Sequence, residues 1–149
     1  MPTLFEQLQS DLKTAVLQHE DVRKDTIRLL IAACKKISAD TGSSLDDDEV
    51  LNILLREKKT RQESIEQYTL GGREDLARKE AAEIEIIQTY LPVQLDESAI
   101  TAEVEKVLAE TGATTIKDMG KVMGLLGSHL KGKADMSLVS RKVKEALSP

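Results

Sequence analysis

The sequence predicts an all-α protein, and three features of its composition and patterning support that prediction. Its apolar residues are almost all aliphatic, since Phe5, Tyr68 and Tyr90 are the only aromatic residues in the chain. Charged residues make up 32% of the sequence, which is typical of helices with one buried and one solvated face. Apolar residues recur every three or four positions, and no stretch shows the alternation of a half-buried strand.

The predicted helices fall into two regions along the chain. An N-terminal region of four helices, residues 1–92, is expected to fold as helical hairpins, and Pro92 prevents its last helix from continuing. A C-terminal region, residues 93–149, is expected to form a small three-helix bundle. A chain of 149 residues suits one domain or two small subdomains.

Short polar residues and glycines predict where these helices begin and end. Thr3 and Asp46 are each followed three residues later by Glu, the capping-box pattern that starts a helix. Gly71-Gly72 ends the long third helix and forms the turn of a hairpin with the fourth. The predicted caps of the three C-terminal helices are also short and polar: Asp96, Thr115 and Asp135.

Charged residues interrupt the apolar stripes of the third and fourth helices. In an antiparallel hairpin about Gly71-Gly72, Arg61 comes opposite the segment that carries Glu80 and Glu83. Because a buried guanidinium is costly without a carboxylate partner, we expect Arg61 to pair with Glu80 or Glu83, with Glu57 available on its own helix. The preferred interpretation is a structural pair that fixes the register of the hairpin. The alternative is a polar binding spot.

The charge of the chain is unevenly distributed. The net charge is −5, but residues 1–110 hold 14 Lys and Arg against 23 Asp and Glu. Residues 111–149 hold seven basic residues against three acidic ones. Such an asymmetry indicates an end of the chain that faces a polyanion, and the alternative is a solvated surface that happens to be basic.

The residue types needed for catalysis or metal binding are present but not arranged for it. Cys34 falls on the apolar stripe of a helix, whereas a thiolate nucleophile needs a nearby base and an oxyanion donor. His19 and His129 are the only histidines, and nothing around them completes a zinc site. We therefore predict an inert thiol, no catalytic residue, no metal and no cofactor.

Residues 127–134 resemble a phosphate-binding loop without completing it. The motif requires Ser or Thr after its Lys, where this chain has Ala134, and it follows a strand rather than a helix. What remains is a Gly- and Lys-rich helix end followed by a helix N-terminus, whose free amides favour an anion. The segment is expected to accept a backbone phosphate or to be a plain turn between helices.

The chain is expected to be a soluble cytoplasmic protein that does not cross a membrane. No basic and then apolar leader follows Met1, and no apolar run approaches the roughly 20 residues that a membrane span needs. A lone Cys34 forms no internal disulfide, which is typical of a reducing compartment.

Five blocks of sequence carry a resemblance to a known family. They are Lys59–Ile65, Gly72–Glu80, Tyr90–Leu95, Lys117–Met123 and Lys131–Asp135. In this order and spacing, the chain resembles the small bacterial YqeY family from end to end. The resemblance implies a helical N-terminal part and a C-terminal three-helix bundle. It also implies kinship with the tail of the B subunit of the glutamine-dependent amidotransferase that acts on misacylated Glu-tRNA or Asp-tRNA.

That tail looks like a tRNA-contacting appendage, so the resemblance implies a non-catalytic accessory module that binds tRNA or a tRNA-handling enzyme. The scarcity of aromatic residues favours contact through phosphates and shape, with a strong salt dependence. Two alternatives stay open: a component with carbon–nitrogen ligase activity using glutamine as amide donor, and a protein-binding helical hairpin. The residues expected to face RNA are basic and C-terminal: Lys121, Lys131, Lys133, Arg141 and Lys142.

Overall fold

A computed structural model of the protein describes residues 1–130 and 132–148, and it confirms the all-α prediction. Within these residues there are seven α-helices, one short 3-10 turn and no strand. The chain divides into two compact units, a first unit of Met1–Leu91 and a second unit that begins at Pro92. Each unit has its own apolar core. None of the described helices combines the length and apolar character needed to cross a membrane.

The first unit contains four helices: α1 (Leu4–Leu17), α2 (Asp21–Thr41), α3 (Asp47–Leu70) and α4 (Glu74–Gln88). The caps follow the sequence pattern. The Thr3 hydroxyl accepts a hydrogen bond from the Glu6 amide, and Asp46 forms a complete capping box with Glu49. Each such cap stabilises its helix by about 1 kcal/mol. A Tyr90 Oη to Asp11 Oδ2 hydrogen bond of 2.5 Å ties the residues after α4 to α1.

The core of the first unit occupies only one part of the α3–α4 hairpin. Its buried members come from all four helices, for example Leu8, Leu30, Leu54 and Ile87, each at 0% exposure, and from Leu91, three residues after the end of α4. No described side chain between positions 56 and 85 belongs to this core. The distal part of the hairpin is therefore a two-helix arm whose side chains pack mainly on each other.

The second unit contains α5 (Glu97–Thr111), the 3-10 turn Ile116–Asp118, α6 (Met119–Leu130) and α7 (Met136–Leu147). Because the 3-10 turn follows the predicted cap at Thr115, α6 begins at Met119 rather than directly after Thr115. The Asp118 carboxylate accepts hydrogen bonds from the Thr114 and Thr115 amides and so holds this turn. The buried apolar residues recur every third or fourth position along the helices: Ile100, Val104, Val107, Val122, Leu126, Leu130, Val139, Val143 and Leu147.

The first residues of the second unit are tied to the turn before α7. The Gln94 side-chain amide donates to the carbonyl oxygens of Pro92 and Gly132, and the Leu95 amide donates to Lys133 O at 2.8 Å. These bonds fix the position of the Gly132-Lys133 turn, which carries part of the predicted RNA-facing set.

Candidate functional site

The four charged residues predicted to meet on the α3–α4 hairpin do lie together. Arg61 is only 7% exposed, and its Nε donates to Glu83 Oε2 at 2.8 Å. Its Nη1 donates to Glu57 Oε2 at 2.8 Å and to the Glu57 carbonyl oxygen at 3.1 Å. Glu80 lies at the edge of the group, with Oε2 4.0 Å from Arg61 Nε. We call this group the Arg61 cluster.

The Arg61 cluster has the properties of a structural ion network. Burial opposes the charged form of Arg61, but the hydrogen bonds and charges of Glu57 and Glu83 outweigh it and raise the guanidinium pKa above its ordinary value. In the part of the chain that the structure describes, no buried side-chain nitrogen or oxygen lacks a hydrogen-bond partner. A network whose buried donors and acceptors are paired with one another holds two helices in register, which favours the structural interpretation.

The predicted RNA-facing residues fall into three groups. Lys121, Lys133 and Arg141 are exposed, and none of them forms an ion pair with another described residue. The side chain of Lys142 is only 18% exposed, and its Nζ lies 3.0 Å from Glu97 Oε1. Lys131 lies outside the described residues. The structure therefore leaves three of the five cations available to a polyanion and engages a fourth within the protein.

The ion pair between Lys142 and Glu97 joins α7 to the first turn of α5. Hydrogen bonding from Lys142, followed by its charge, holds the pKa of the Glu97 carboxyl below its ordinary value, and the charge of Arg141 adds to the effect. Glu97 itself is exposed, so the pair lies at the surface and contributes little to stability. Lys142 is therefore less available to an external anion than its neighbour Arg141.

The second unit is not basic as a whole. Residues 93–149 contain eight Lys and Arg and eight Asp and Glu, so their formal charges cancel. Five of those acids lie in residues 93–110, which cover α5, and the excess of positive charge is confined to residues 111–149. A polyanion is therefore expected to meet the segment that contains α6 and α7, and α5 is expected to repel it.

Two exposed lysines were missing from the predicted set. Lys117 lies in the 3-10 turn, four residues before Lys121, and Lys144 lies on α7, three residues after Arg141. Positions three or four apart share a face of a helix, so this spacing already indicated both residues. We include them with Lys121, Lys133 and Arg141 in what we call the basic segment.

The expectation of a backbone phosphate at the start of α7 is not supported by the geometry. The Asp135 carboxylate accepts a hydrogen bond from the Ser137 amide at 2.9 Å and so occupies the end of the helix that would attract an anion. The carbonyl groups of Gly132 and Lys133 are held by the Gln94 side chain and the Leu95 amide. The turn is already satisfied by the protein's own groups, which favours the alternative of a plain helix–helix turn.

Helix α6 carries three glycines with no packing role in the described structure. No described heavy atom lies within 4 Å of a Cβ placed on Gly120, Gly124 or Gly127. Glycine in a helix interior costs about 1 kcal/mol relative to alanine. The three positions are four and three residues apart, so they line one face of α6, beside the flank that bears Lys121. We call this face the glycine face.

Replacing Gly124 with alanine is expected to raise the free energy of unfolding of the second unit by about 1 kcal/mol, because the added methyl meets open space. Chemical denaturation followed by circular dichroism measures the change. Gly112→Ala is the matched control. Its surroundings are equally open but its φ is +67°, so this substitution is expected to destabilise the protein. A loss of stability in Gly124→Ala would contradict the open-face description.

Cys34 is buried, as its place on the apolar stripe of a helix predicts. It is 1% exposed, and burial, with a smaller contribution from the Glu57 carboxylate, raises the pKa of the thiol to about 11. We expect a thiol-specific disulfide reagent to react with the native protein at neutral pH far more slowly than with the urea-unfolded chain. Equal rates in the two states would contradict the burial of this side chain.

The described residues thus form a small helical protein of two units, with an ion cluster in the first and an exposed basic segment in the second. The family described as Yqey-like protein matches residues 5–147, and the chain belongs to that family. This membership confirms the resemblance found in the sequence.

Curated relatives show how widely the family occurs. The chain is 37% identical to the mitochondrial "Altered inheritance of mitochondria protein 41" of Lachancea thermotolerans over 144 residues, which cover 91% of this chain and 76% of the relative. The protein of the same name from Vanderwaltozyma polyspora is 31% identical, over 91% of this chain and 77% of the relative. The one from Pyrenophora tritici-repentis is 32% identical, over 94% of this chain and 78% of the relative.

These relatives correct one part of the sequence analysis. The description of the family as bacterial is wrong, because the relatives are mitochondrial proteins of fungi. Their names also place them in mitochondria, whereas composition alone led us to expect the cytoplasm for this chain.

Proposed function

We propose that the protein is a non-catalytic module that binds tRNA, or a tRNA-handling enzyme with its bound tRNA, through the basic segment of the second unit. The observation that carries this proposal is the exposure of Lys121, Lys133 and Arg141 without partners among the described residues. Exposed cations free of ion pairs gain most from meeting phosphates, because no internal contact has to be broken first.

The glycine face of α6 supports the same proposal. Its glycines cost helix stability and return no packing among the described residues, so their advantage lies in what approaches from outside. A helix without side chains on one face lets a sugar–phosphate backbone come close to the main chain, with Lys121 at its flank to neutralise phosphate charge. Because the second unit contains no Phe, Tyr or Trp, contact through phosphates is favoured over base stacking.

The chemistry of the chain supports a binding role over a catalytic one. The single thiol is buried and its pKa is raised, which disfavours a thiolate nucleophile. The buried carboxylates of the Arg61 cluster are committed to the guanidinium. A link to tRNA-dependent amidation therefore fits an accessory that positions a substrate better than the alternative of a carbon–nitrogen ligase component.

The proposal requires a compartment that contains tRNA. The cytoplasm and the mitochondrial interior both satisfy it, and the mitochondrial relatives support the latter for this chain. Cell fractionation followed by immunodetection tests the location, and detection confined to the cytoplasm would contradict the mitochondrial assignment.

Charge reversal in the basic segment tests the proposal. The double variant Lys121→Glu, Arg141→Glu is expected to bind unfractionated tRNA at least about tenfold more weakly than the natural chain in a filter-binding assay at low salt. The matched control, Lys59→Glu with Lys79→Glu, makes the same change in net charge at exposed positions of the first unit and is expected to bind like the natural chain. Equal losses in the two double variants would overturn the assignment to this segment.

The arm of the α3–α4 hairpin supports a second candidate function, the binding of another protein. The arm formed by residues 56–85 contributes no side chain to the described core, and Leu70 at its tip is 83% exposed. Leu70 gives another protein an accessible apolar side chain at the end of the arm. Cross-linking in cell extract from a photoreactive residue at position 70, compared with one at exposed Gln67, tests this hairpin as a protein-binding element. Identical cross-linking patterns at the two positions would contradict it.

A further inference from the structure

A cavity of about 370 Å³ lies within the first unit, close to the place where α1 and α3 begin and α2 ends. Its volume is at the small end of the range for ligand sites. The inner wall is apolar and is formed by Phe5, Cys34 and Leu45. Cys34 presents a neutral group there, since burial keeps its thiol protonated at neutral pH. This end of the cavity suits an aliphatic or small aromatic group.

Two opposite charges line the same cavity. Lys35 on α2 and Glu6 on α1 both line it, and they form no ion pair with each other. Lys35 has no ion-pair partner among the described residues, and Glu6 accepts a single side-chain hydrogen bond, from the Thr3 hydroxyl at 3.2 Å. Each therefore keeps capacity for a ligand of the opposite charge.

Hydroxyl groups complete the polar side of the cavity. Ser38 and Ser44 line it together with Lys35, and the same three residues also line a shallower depression of about 470 Å³ beside it. Ser38 donates its hydroxyl hydrogen to the Ser43 carbonyl at 2.7 Å, so Ser44 supplies the hydroxyl that can donate to a ligand. The lining thus offers apolar side chains, an ammonium beside a hydroxyl, and a carboxylate.

We infer that this cavity binds a small zwitterion with an apolar side group, a free apolar α-amino acid, independently of RNA. The ligand's carboxylate meets Lys35 and the Ser44 hydroxyl, its ammonium meets Glu6, and its side group lies against Phe5 and Leu45. A simple fatty acid would leave Glu6 facing a carboxylate, and a simple amine would leave Lys35 facing an ammonium. Only a ligand that carries both charges satisfies both residues.

Titration of the full chain with L-leucine, followed by amide chemical shifts in NMR, tests this inference. We expect saturable shifts that centre on the lining residues at millimolar leucine. N-acetyl-leucine lacks the ammonium and leucinamide lacks the carboxylate, so each is expected to bind at least about tenfold more weakly, the loss of one charge-assisted contact. Absence of saturable shifts with leucine, or equal binding of N-acetyl-leucine or of octanoate, would overturn the proposal.

Variants locate the site and assign its charges. Lys35→Gln is expected to weaken leucine binding by about tenfold and to leave the binding of leucinamide unchanged, because leucinamide has no carboxylate to lose. Lys36→Gln is the matched control, since Lys36 is exposed and does not line the cavity. Ser44→Phe, which places a ring in the cavity from an exposed loop position, is expected to abolish binding. Retention of leucine binding in Ser44→Phe, or equal effects of the two lysine variants, would overturn the site.

Discussion

Replacing Arg61 with methionine is expected to destabilise the first unit by about 3 kcal/mol, the lower end of the cost of breaking a buried ion pair. The substitution removes the hydrogen bonds to Glu83 and Glu57, whose side chains are only 11% and 29% exposed. It leaves their negative charges facing each other in a partly buried site. Urea denaturation followed by circular dichroism measures the loss.

The coupling between Arg61 and its partners distinguishes an ion network from simple packing. Adding Glu83→Leu to Arg61→Met is expected to recover part of the lost stability, because the second change removes a carboxylate that has lost its partner. Arg73→Ala serves as the control. Arg73 pairs with Asp75 at 3.1 Å, but both side chains are mostly exposed, so its removal is expected to leave the midpoint unchanged. If Arg61→Met unfolds at the same urea concentration as Arg73→Ala, the Arg61 cluster has no structural role.

Replacing Leu126 with alanine is expected to destabilise the second unit by about 3 kcal/mol, the usual cost of truncating a buried leucine. Leu126 is 0% exposed and lies at the middle of the core formed by α5, α6 and α7. A unit of this size buries too little apolar surface to absorb such a loss easily. In heteronuclear NMR spectra of the Leu126→Ala variant, the amide resonances of the second unit are expected to broaden or lose their dispersion on mild warming.

The neighbouring residue supplies the control for Leu126. Leu125 lies on the same helix but is 38% exposed, so Leu125→Ala removes the same atoms and leaves no cavity. Its thermal midpoint is expected to stay within a degree or two of the natural chain. Equal losses for the two leucines would mean that the face of α6 toward the core has been assigned wrongly.

Local signals in the sequence determine most of the fold. The caps at Thr3, Asp46, Asp96 and Asp135 are visible in the sequence because the side chain and the amide that it binds lie within three residues of each other. The 3-10 turn before α6 was not predicted, because the same Thr115 pattern is compatible with an α-helical or a 3-10 first turn.

Contacts between residues far apart in the sequence were predictable only where a buried charge requires a partner of opposite charge. Arg61 could be matched with Glu80 or Glu83 because a hairpin turn fixes which positions face each other and a buried guanidinium requires a carboxylate, and the structure selects Glu83. The surface pair of Lys142 with Glu97 joins residues far apart in the chain, and no local pattern indicates it. The neutral overall charge of the second unit, by contrast, can be counted directly from residues 93–149, the region that the sequence already delimits.

The salt dependence of tRNA binding tests most directly whether exposed lysines and arginine of the second unit meet phosphates. For the natural chain, the logarithm of the binding constant is expected to fall with the logarithm of salt concentration with a slope of about −3 or steeper, as three or more phosphate contacts require. In the double variant Lys121→Glu, Arg141→Glu, the slope is expected to become less negative by about two, because two phosphate contacts are lost. A natural chain that binds no tRNA at low salt, or binds it with a slope near zero, would contradict this account.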